Sequence, residues 1–406
     1  MKPIGPIPPG YEADRGGRLL IGGRAAEILV EEAGATPLFV YDGGLIAGQI
    51  ERFRAAMPHE VALHYAIKAN PYKPLLEWIA NKIDGFDVAS AGELGRVAHL
   101  GLPISFAGPG KTDQQLETAL RAGVTINLES EGEAERALAI SQALSRPPRL
   151  AVRVNPPFAL KGAGMKMGGL ASPFGVDHDR VPALVRRLLG GGADWRGLHI
   201  FAGSQALHAE ALIEAQSATM ALAAEIAAQA GAPPPEVNLG GGFGIPYFPG
   251  EQPLDVEAVG RALAKTLANR SKILGETTFA LELGRWLVGE AGVYLTRIVD
   301  RKESGGRTFL VTDGGLHHML AASGNFGQLL RRNYPVAIAS RFGRETEEEV
   351  TVTGCLCTPL DLLADDVALP RAEPGDLVAI FCAGAYGFSA SPQAFLSQPA
   401  AREIFV

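Results

Sequence analysis

At 406 residues the chain is long enough for two or three domains, or for one barrel with an appended domain. Its content of 47% hydrophobic and 20% charged residues is typical of a soluble globular protein. The net charge of -7, with no run of Lys or Arg, argues against a nucleic-acid-binding surface.

The N-terminal stretch MKPIGPIPPGYEADRGG lacks the apolar segment of a secretory signal. The longest apolar stretch is Ala-rich and contains Glu225, so it predicts a helix of a soluble protein and not a membrane span. The three cysteines fit a reducing compartment and lack the spacing of a zinc site. We therefore expect a cytoplasmic protein that holds no metal and does not span a membrane.

A simple unit repeats from about residue 60 to residue 285. In each repeat a short β-branched or aromatic run precedes a longer segment of helical character. The eight runs are ALHYAIKAN, GFDVAS, PISFAG, VTINLES, RLAVRVN, GLHIFAGSQ, EVNLGGGF and FALELGR. Eight strands that alternate with helices predict an α/β fold of the (β/α)8 TIM-barrel type, and an open doubly wound sheet would need an early GxGxxG that is absent.

The period of the sequence changes after Glu290. GVYLTRIVD, RTFLVTDGG, EEVTVTGCLC and GDLVAIFCAGAYG are short strands separated by turn sequences, and LLIGG and LFVYD near the N terminus are also typical of strands. We predict a barrel over residues 46–285 and an all-β domain formed by 1–45 and 286–406. The Gly- and Met-rich segment 156–175 is expected to be a mobile loop beside the barrel opening.

Polar residues stand at or just after the end of nearly every barrel run. In a (β/α)8 barrel the carboxyl ends of the strands lie at one face, where functional side chains converge. The residues that we expect there are Lys68, Asp87, Ser90, Glu129, Arg153, Asn155, Ser204, Gln205, Gly240, Gly241, Gly242, Glu282 and Arg285.

Lys68 follows an apolar run and precedes an Asn-Pro turn in HYAIKANPYKP. Burial of an ammonium is costly and lowers its pKa, and a neutral amine is a nucleophile that can form a Schiff base. A single lysine at a strand end more commonly extends into solvent. The convergence of polar residues from other strands favours the functional interpretation.

The glycine run in NLGGGFG follows the seventh predicted strand. Backbone amides in such a run can approach a phosphate closely, although a tight turn also explains consecutive glycines. A Schiff-base lysine together with a phosphate site indicates pyridoxal 5'-phosphate. Its pyridine nitrogen needs a charge partner, and Glu282 can serve, with an ion pair to Arg285 as the compatible structural alternative.

A series of motifs resembles, in order, the fold-type III pyridoxal-phosphate decarboxylases, which include diaminopimelate, ornithine and arginine decarboxylases. The resemblance extends from about residue 38 to the C terminus. It implies an alanine-racemase-like barrel with a β-domain, assembled as a head-to-tail homodimer with two shared sites. The motifs are HYAIKAN, FDVASAGEL, GPGK, NLES, RVNP, LGGGFG, LELGR, CLCTPLD and GAYGFSAS.

The resemblance also implies roles for individual residues. Lys68 would carry the cofactor as a Schiff base, Asp87 would lie near it, and Glu282 would pair with the pyridine nitrogen. Cys357 would cross the dimer interface and protonate the substrate carbon. The phosphate would be held by Ser204, Gly241, Gly242, Gly284, Arg285 and Tyr386.

The sequence departs from the family at three places. Phe201 occupies the position where relatives stack a histidine on the cofactor, and His199 lies one layer deeper, where we expect a hydrogen-bonded core residue. Thr358 follows Cys357 where many relatives carry an acidic residue that binds a distal ammonium, and Asp361 stands three residues on.

The third departure is at His317 and His318, which replace the arginine that binds substrate carboxylate in diaminopimelate decarboxylases. They are either surface residues or residues that position a substrate amide or thioester. GGLHHMLAASGNFG with CTPLD resembles a subgroup linked to exosortase and exopolysaccharide gene clusters. That subgroup is similar to decarboxylases of a glutamyl group tethered to an acyl carrier protein, so our hypothesis is a conjugated amino-acid substrate.

Three alternatives remain open from the sequence. The protein could decarboxylate diaminopimelate or a basic amino acid such as lysine or ornithine. It could be an amino-acid racemase, although racemases of this fold place an arginine where Glu282 stands. It could be a non-catalytic regulator, although the presence of Lys68, Glu282 and Cys357 together disfavours this.

Overall fold

The computed structural model describes residues 1–162, 164–166, 168–169, 171–326, 328 and 330–406. The chain forms two compact units. One comprises residues 50–244 and 253–284, and the other comprises 1–49, 245–252 and 285–406. In the part of the chain that the structure describes, no helix has the length and apolar character needed to cross a membrane.

The first unit is a closed barrel of eight parallel strands, as the repeating sequence pattern predicts. Each strand pairs with the next along the chain, and the eighth strand pairs with the first, so that Glu282 lies beside His64 in the register. The strands are Val61–Ala66, Gly85–Val88, Ile104–Phe106, Thr125–Leu128, Arg149–Asn155, Asp194–Ile200, Glu236–Asn238 and Thr278–Leu283.

Helices follow the first seven strands. Several begin at a residue whose side chain accepts a backbone amide, as with Ser90, Ser130 and Asp255, and Thr112 forms a reciprocal capping box with Gln115. These caps fix where each helix begins after its strand. The helices are Lys73–Ile79, Ala91–Val97, Asp113–Ala122, Glu131–Leu144, Val181–Gly190, Ala209–Ala230 and Val256–Ala268, and Gly43–Ala56 precedes the first strand.

The interior of the barrel is polar. A hydrogen bond joins His199 on the sixth strand to Glu282 on the eighth, which are not neighbouring strands, so these side chains meet inside the barrel. Barrels of this type are usually filled by branched aliphatic side chains. Here the inward positions also hold the polar residues His64, Asp87, Ser105, Asn127 and Asn238.

The second unit is built mainly from β-strands. Its long strand Gly292–Ser304 pairs with three others, and two of the strand pairs in the sheet are parallel. The other strands are Leu38–Tyr41, Arg307–Thr312, Val336–Ile338, Glu348–Thr353, Leu362–Leu369, Leu377–Ile380 and Arg402–Phe405, with a small sheet of Glu12–Ala13, Leu19–Ile21 and Arg24–Ala25.

Two helices also belong to this unit, Ala26–Ala33 and the short Arg285–Val288. Its core includes Leu19, Leu29, Leu38, Val40, Leu295 and Phe381. The sequence interpretation of GLHIFAGSQ as one strand is wrong, because the barrel strand ends at Ile200 and Gly203–Ser204 pairs separately with Met165–Lys166. Ala163, Met167 and Leu170, within the loop that we expect to be mobile, lie outside the described residues.

Candidate active site

Lys68 lies in a single 3-10 turn, Ile67–Ala69, directly after the first barrel strand. The chain on both sides is fixed: Tyr65 donates its hydroxyl to the carbonyl of Asn70 at 2.9 Å, and the Asn70 side chain accepts the amide of Tyr72 at 3.0 Å. Burial of the lysine is not observed, since its side chain is 45% exposed. The turn therefore holds the amine at the opening of the barrel.

Glu282 is the ion-pair partner of Lys68. Its Oε1 accepts from Lys68 Nζ at 3.1 Å and its Oε2 accepts from His199 Nε2 at 3.0 Å. Burial alone would raise the pKa of this carboxyl, but Lys68 and His199 outweigh burial and hold the pKa well below its usual range. Glu282 is therefore an oriented carboxylate, with both oxygens engaged by barrel residues.

His199 has a larger role in the site than the sequence predicts. It is buried, as expected for a core histidine, but its hydrogen bond goes to Glu282 and its Nδ1 has no partner among the described residues. The available signal was its place near the end of the sixth strand run, beside the predicted site residues. Phe201 lies beside Lys68, whose Nζ is over the aromatic ring at 5.4 Å from the ring centroid.

His64 and Asp87 form a second buried pair inside the barrel. His64 Nδ1 lies 3.3 Å from Asp87 Oδ2, at ion-pair distance but without a well-aligned hydrogen bond. Burial on its own would lower the pKa of His64, yet Asp87 raises it to about 9, with smaller contributions from Glu236 and Glu282. His64 is thus an imidazolium at neutral pH. It was not identified from the sequence, although alternation in HYAIK places it on the inward face.

The glycine run has a steric cause. A side chain at Gly241 would overlap the carbonyl oxygen of Glu282, and one at Gly242 would lie 2.7 Å from the carbonyl oxygen of Gly203. Gly240 and Gly242 also have positive φ angles of 72° and 85°. The seventh strand therefore ends in close backbone contact with its neighbours, which is compatible with the phosphate site that we expect.

Ser204 and Gly284 are the remaining barrel residues among the predicted phosphate ligands. Ser204 Oγ is buried and has no hydrogen-bond partner among the residues that the structure describes, so it can donate to an added anion. A side chain at Gly284 would lie 2.8 Å from Cβ of Ala69, so the eighth strand ends directly against the turn that carries Lys68. The amine, the carboxylate, the glycine run and this hydroxyl fit pyridoxal phosphate.

Arg285 and Tyr386 lie together in the second unit. The guanidinium of Arg285 lies 4.7 Å from the centroid of the Tyr386 ring and donates to the hydroxyl of Tyr247 at 2.8 Å. Burial raises the pKa of Tyr247 to about 12, so its hydroxyl stays protonated. Tyr386 has a positive φ of 54°. Nothing in the sequence GIPYFPG indicated that Tyr247 contacts Arg285.

Asp361 is a structural residue. It is buried, and its two oxygens accept the backbone amides of Leu316 at 2.6 Å and Leu356 at 2.8 Å. Side chains at Gly315 and Gly354 would overlap its carboxylate. Asp361 thereby ties the loop 314–318 to the loop 354–358. The thiol of Cys357 is exposed on the second of these loops, and Thr358 follows it.

The interpretation of His317 and His318 as surface residues is wrong, because both are buried. His318 is bonded on both sides, to Tyr294 Oη at 3.3 Å and to the carbonyl of Pro399 at 2.8 Å. The nitrogens of His317 have no partner among the described side chains and backbone. Burial, and then the neighbouring His318, lower the pKa of His317 to about 4, so it is neutral.

Comparison with known proteins agrees with this geometry. Residues 44–289 match the family of pyridoxal-dependent decarboxylases, over the pyridoxal binding domain. The chain is 36% identical to L-glutamyl-[BtrI acyl-carrier protein] decarboxylase from Niallia circulans, over 91% of this chain and 88% of that protein. It is 33% identical to diaminopimelate decarboxylase from Methanothermobacter thermautotrophicus, over 98% and 92%.

Among solved structures, diaminopimelate decarboxylase from M. jannaschii in complex with L-lysine superimposes with a TM-score of 0.88 at 26% identity, covering 98% of this chain and 92% of that one. These relatives are decarboxylases, which favours decarboxylation over the racemase and regulator alternatives. The chain belongs to the fold-type III pyridoxal-dependent decarboxylases, and it is a carboxy-lyase that uses pyridoxal 5'-phosphate.

Proposed function

We propose that this decarboxylase acts on an amino acid whose side-chain end is joined to a larger group, such as a glutamyl unit on an acyl carrier protein. The observation that supports the proposal is the lack of charged side chains in the two loops that Asp361 connects, 314–318 and 354–358. His317 and Thr358 carry no charge there, and the oxygens of Asp361 are taken by backbone amides. A free diamino acid would need a charged partner for its distal ammonium or carboxylate.

The 36% identity to a decarboxylase of a carrier-bound glutamyl group supports the same substrate class. An amide or thioester at the distal end of the substrate is neutral and can hydrogen-bond to a hydroxyl such as that of Thr358. The 33% identity to diaminopimelate decarboxylase keeps a free diamino acid as the second candidate.

We assign the attachment of the cofactor to the amine of Lys68 and the pairing with its pyridine nitrogen to Glu282. Pyridoxal phosphate, when bound, supplies a ring that withdraws the electron pair left when carbon dioxide departs. The ionised carboxylate of Glu282 holds a proton at the pyridine nitrogen, and the bond from His199 keeps that carboxylate oriented. Asp87 and Phe201 are assigned to the surroundings of the amine.

We assign the phosphate to the glycine run and to the hydroxyl of Ser204. Ser204 Oγ is a buried donor without a partner in the described part of the chain, and the glycines bring backbone amides close together. The further phosphate ligands that the family resemblance implies, Gly284, Arg285 and Tyr386, remain predictions, and Arg285 is the permanent cation among them.

We also propose that the protein is a homodimer and that Cys357 of one copy returns a proton to the substrate carbon in the site of the other. The exposed thiol of Cys357 supports this role, because it is accessible within a single chain. Mixing Lys68→Ala and Cys357→Ala proteins tests it. Random re-association restores one intact site in half of the dimers, so about a quarter of wild-type activity should return. Recovery of no activity would contradict shared sites.

Carbon dioxide release by the purified, cofactor-loaded protein tests the substrate. The substrates are free glutamate, glutamate as a thioester on an acyl carrier protein, meso-diaminopimelate, L- and D-lysine, ornithine and arginine. We expect release from the tethered glutamate only. Release from a free diamino acid at the same rate would contradict the proposal and identify a basic amino-acid decarboxylase.

A Thr358→Asp variant is the matched control. It introduces the acidic residue that many family members carry after the cysteine. With a neutral, tethered substrate the added charge should lower kcat/KM, because a carboxylate would be desolvated without a cationic partner. If the natural substrate carries a distal ammonium, the same variant should raise kcat/KM.

A further inference from the structure

A small cavity lies in the interior of the barrel and is lined by residues of five of its strands. Its volume is about 20 Å³, and its lining includes Ser105, Asn127, Ala151, His199 and Asn238. A water molecule needs roughly 10–15 Å³ on the same measure and two to four polar partners. The cavity is therefore large enough for one water molecule, and its lining is polar enough to bind one.

Two of the residues that line this cavity have a side-chain nitrogen without a hydrogen-bond partner in the described part of the chain. His199 Nδ1 and Asn238 Nδ2 are buried, and neither has a hydrogen bond within the described residues. The orientation of the Asn238 amide is fixed, because its Oδ1 accepts the backbone amide of Gly240 at 2.8 Å. Nδ2 must then be the donor that faces away from Gly240. An unpaired buried donor and an unpaired buried acceptor in one cavity are what a bridging water satisfies.

The tautomer of His199 follows from the hydrogen bond that its other ring nitrogen, Nε2, makes with Glu282. Glu282 is a carboxylate and can only accept, so His199 Nε2 carries the hydrogen of the 3.0 Å bond. In the neutral imidazole Nδ1 is then an acceptor and needs a donor. In the strand register His199 lies beside Asn238, which places the two side chains on the same inward face.

We propose that this cavity is a binding site for one ordered water, which accepts a hydrogen bond from Asn238 Nδ2 and donates one to His199 Nδ1. The water completes a hydrogen-bonded ring that runs from Gly240 through Asn238, the water and His199 to Glu282. The ring closes where the Glu282 amide donates to the carbonyl of Gly240 at 2.8 Å. Through this ring of hydrogen bonds, the position of the glycine run and the position of the Glu282 carboxylate depend on each other.

His199 is thus a positioning residue for Glu282. The water site does not depend on which substrate the enzyme takes, so the two proposals can fail separately. Its functional consequence rests on the assignment of Glu282 to the pyridine nitrogen. The water and the tautomer of His199 can each be measured directly, independently of activity.

Thermal denaturation of cofactor-loaded Ala151→Val and Ala151→Thr proteins tests for the water. Ala151 lines the cavity, and Val and Thr have nearly the same shape but differ in one hydroxyl. Either side chain displaces the water, but only Thr offers a hydroxyl to the polar atoms. We expect the Val variant to melt roughly 1–4 °C below the Thr variant, because a buried unpaired polar group costs about 1–3 kcal/mol and each kcal/mol shifts the melting temperature of a chain of this length by about 1 °C. A Val variant that equals or exceeds the Thr variant would show a dry cavity and overturn the proposal.

The tautomer of His199 is measured by NMR of cofactor-loaded protein labelled with ¹⁵N-histidine, with the His199→Gln variant identifying the resonance. We expect a neutral ring with hydrogen on Nε2 and a hydrogen-bonded Nδ1, and the Nδ1 resonance should shift in Ala151→Val. Hydrogen on Nδ1 would exclude the bond to Glu282 and overturn the proposal.

Rescue by a conservative variant separates positioning from general packing. His199→Gln keeps a donor that can reach Glu282, whereas His199→Phe fills the space without one. We expect kcat to fall roughly tenfold or more in the Phe variant and to stay within about threefold of wild type in the Gln variant, the size of loss typical of a residue that orients another. Equal losses in the two variants would contradict positioning through a hydrogen bond.

Discussion

Lys111 and Glu133 form an ion pair of 2.7 Å in which the two side chains are only 1% and 2% exposed. Lys111 also donates to the carbonyls of Gly108 and Asn127, at 2.8 and 2.9 Å, so all three of its hydrogens are used. Burial lowers the pKa of Lys111 and raises that of Glu133, as expected for charges taken out of water. The full set of hydrogen bonds offsets this cost.

Loss of one member of this pair should destabilise the barrel strongly. Lys111→Met removes the cation that pairs with the buried carboxylate of Glu133 and the donor to two backbone carbonyls. We expect the free energy of unfolding to fall by roughly 3–5 kcal/mol. Urea denaturation measures it. The double variant Lys111→Met, Glu133→Leu should recover part of the loss. As the control, Glu117→Gln in the exposed pair with Arg121 should change stability by less than about 1 kcal/mol.

Lys68 should be essential for holding the cofactor. In Lys68→Ala we expect the visible absorbance of the lysine-bound cofactor and the release of carbon dioxide to be lost, while the circular dichroism spectrum stays unchanged. The fold should survive because the half-exposed side chain contributes little burial. Lys82→Ala, which removes an exposed lysine near Trp78, is the control. Wild-type absorbance and turnover in Lys68→Ala would refute the assignment of the site.

The charge of Glu282 should matter more than its shape. Glu282→Gln keeps the size of the side chain but cannot stabilise a proton at the pyridine nitrogen. We expect kcat to fall by roughly 10²-fold or more, as when a key electrostatic partner is removed from an active site. Glu282→Asp keeps the charge and should retain more activity than the Gln variant. A Gln variant that is more active than the Asp variant would argue against the role of the charge.

The stability of the protein should fall as the pH rises above neutral. The pKa of His64 is about 9 in the folded protein and about 6.5 in an unfolded chain, so protonated His64 stabilises the fold fully below pH 6.5. That contribution, roughly 3 kcal/mol, is lost as the pH rises through 9. Denaturation at pH 6, 7.5 and 9 measures it. His64→Gln should flatten the dependence, whereas His99→Gln, at an exposed histidine, should leave it unchanged.

The sequence was sufficient to predict the strands and helices of the barrel and the residues at the ends of its strands. Eight short β-branched or aromatic runs that alternate with helical segments predicted the barrel. Lys68 and Glu282 were identified because polar residues stand at the ends of those runs. It was insufficient for contacts across the barrel. His199 and Glu282 are 83 positions apart, and only the closure and register of the strands bring them together.

Burial was the other quantity that the sequence could not supply. His317 and His318 stand in a loop, where histidines are commonly exposed, and both are buried. His318 is enclosed by Tyr294 from the strand 292–304 and by the carbonyl of Pro399 from the C-terminal segment. Lys111 in GPGK likewise has an ordinary surface composition around it. Its burial depends on Glu133, which lies 22 residues further along the chain.

The polar interior of the barrel divides each strand into two sets of residues. Tyr65 and Phe86 lie on the outward face and pack edge to face, with ring centroids 6.5 Å apart, while His64 and Asp87 alternate with them on the inward face. Hydrophobic burial comes from the outward set and reactivity from the inward set. A change of substrate or of catalytic pKa can therefore arise by substitution at alternate positions while the apolar contacts that close the barrel stay intact.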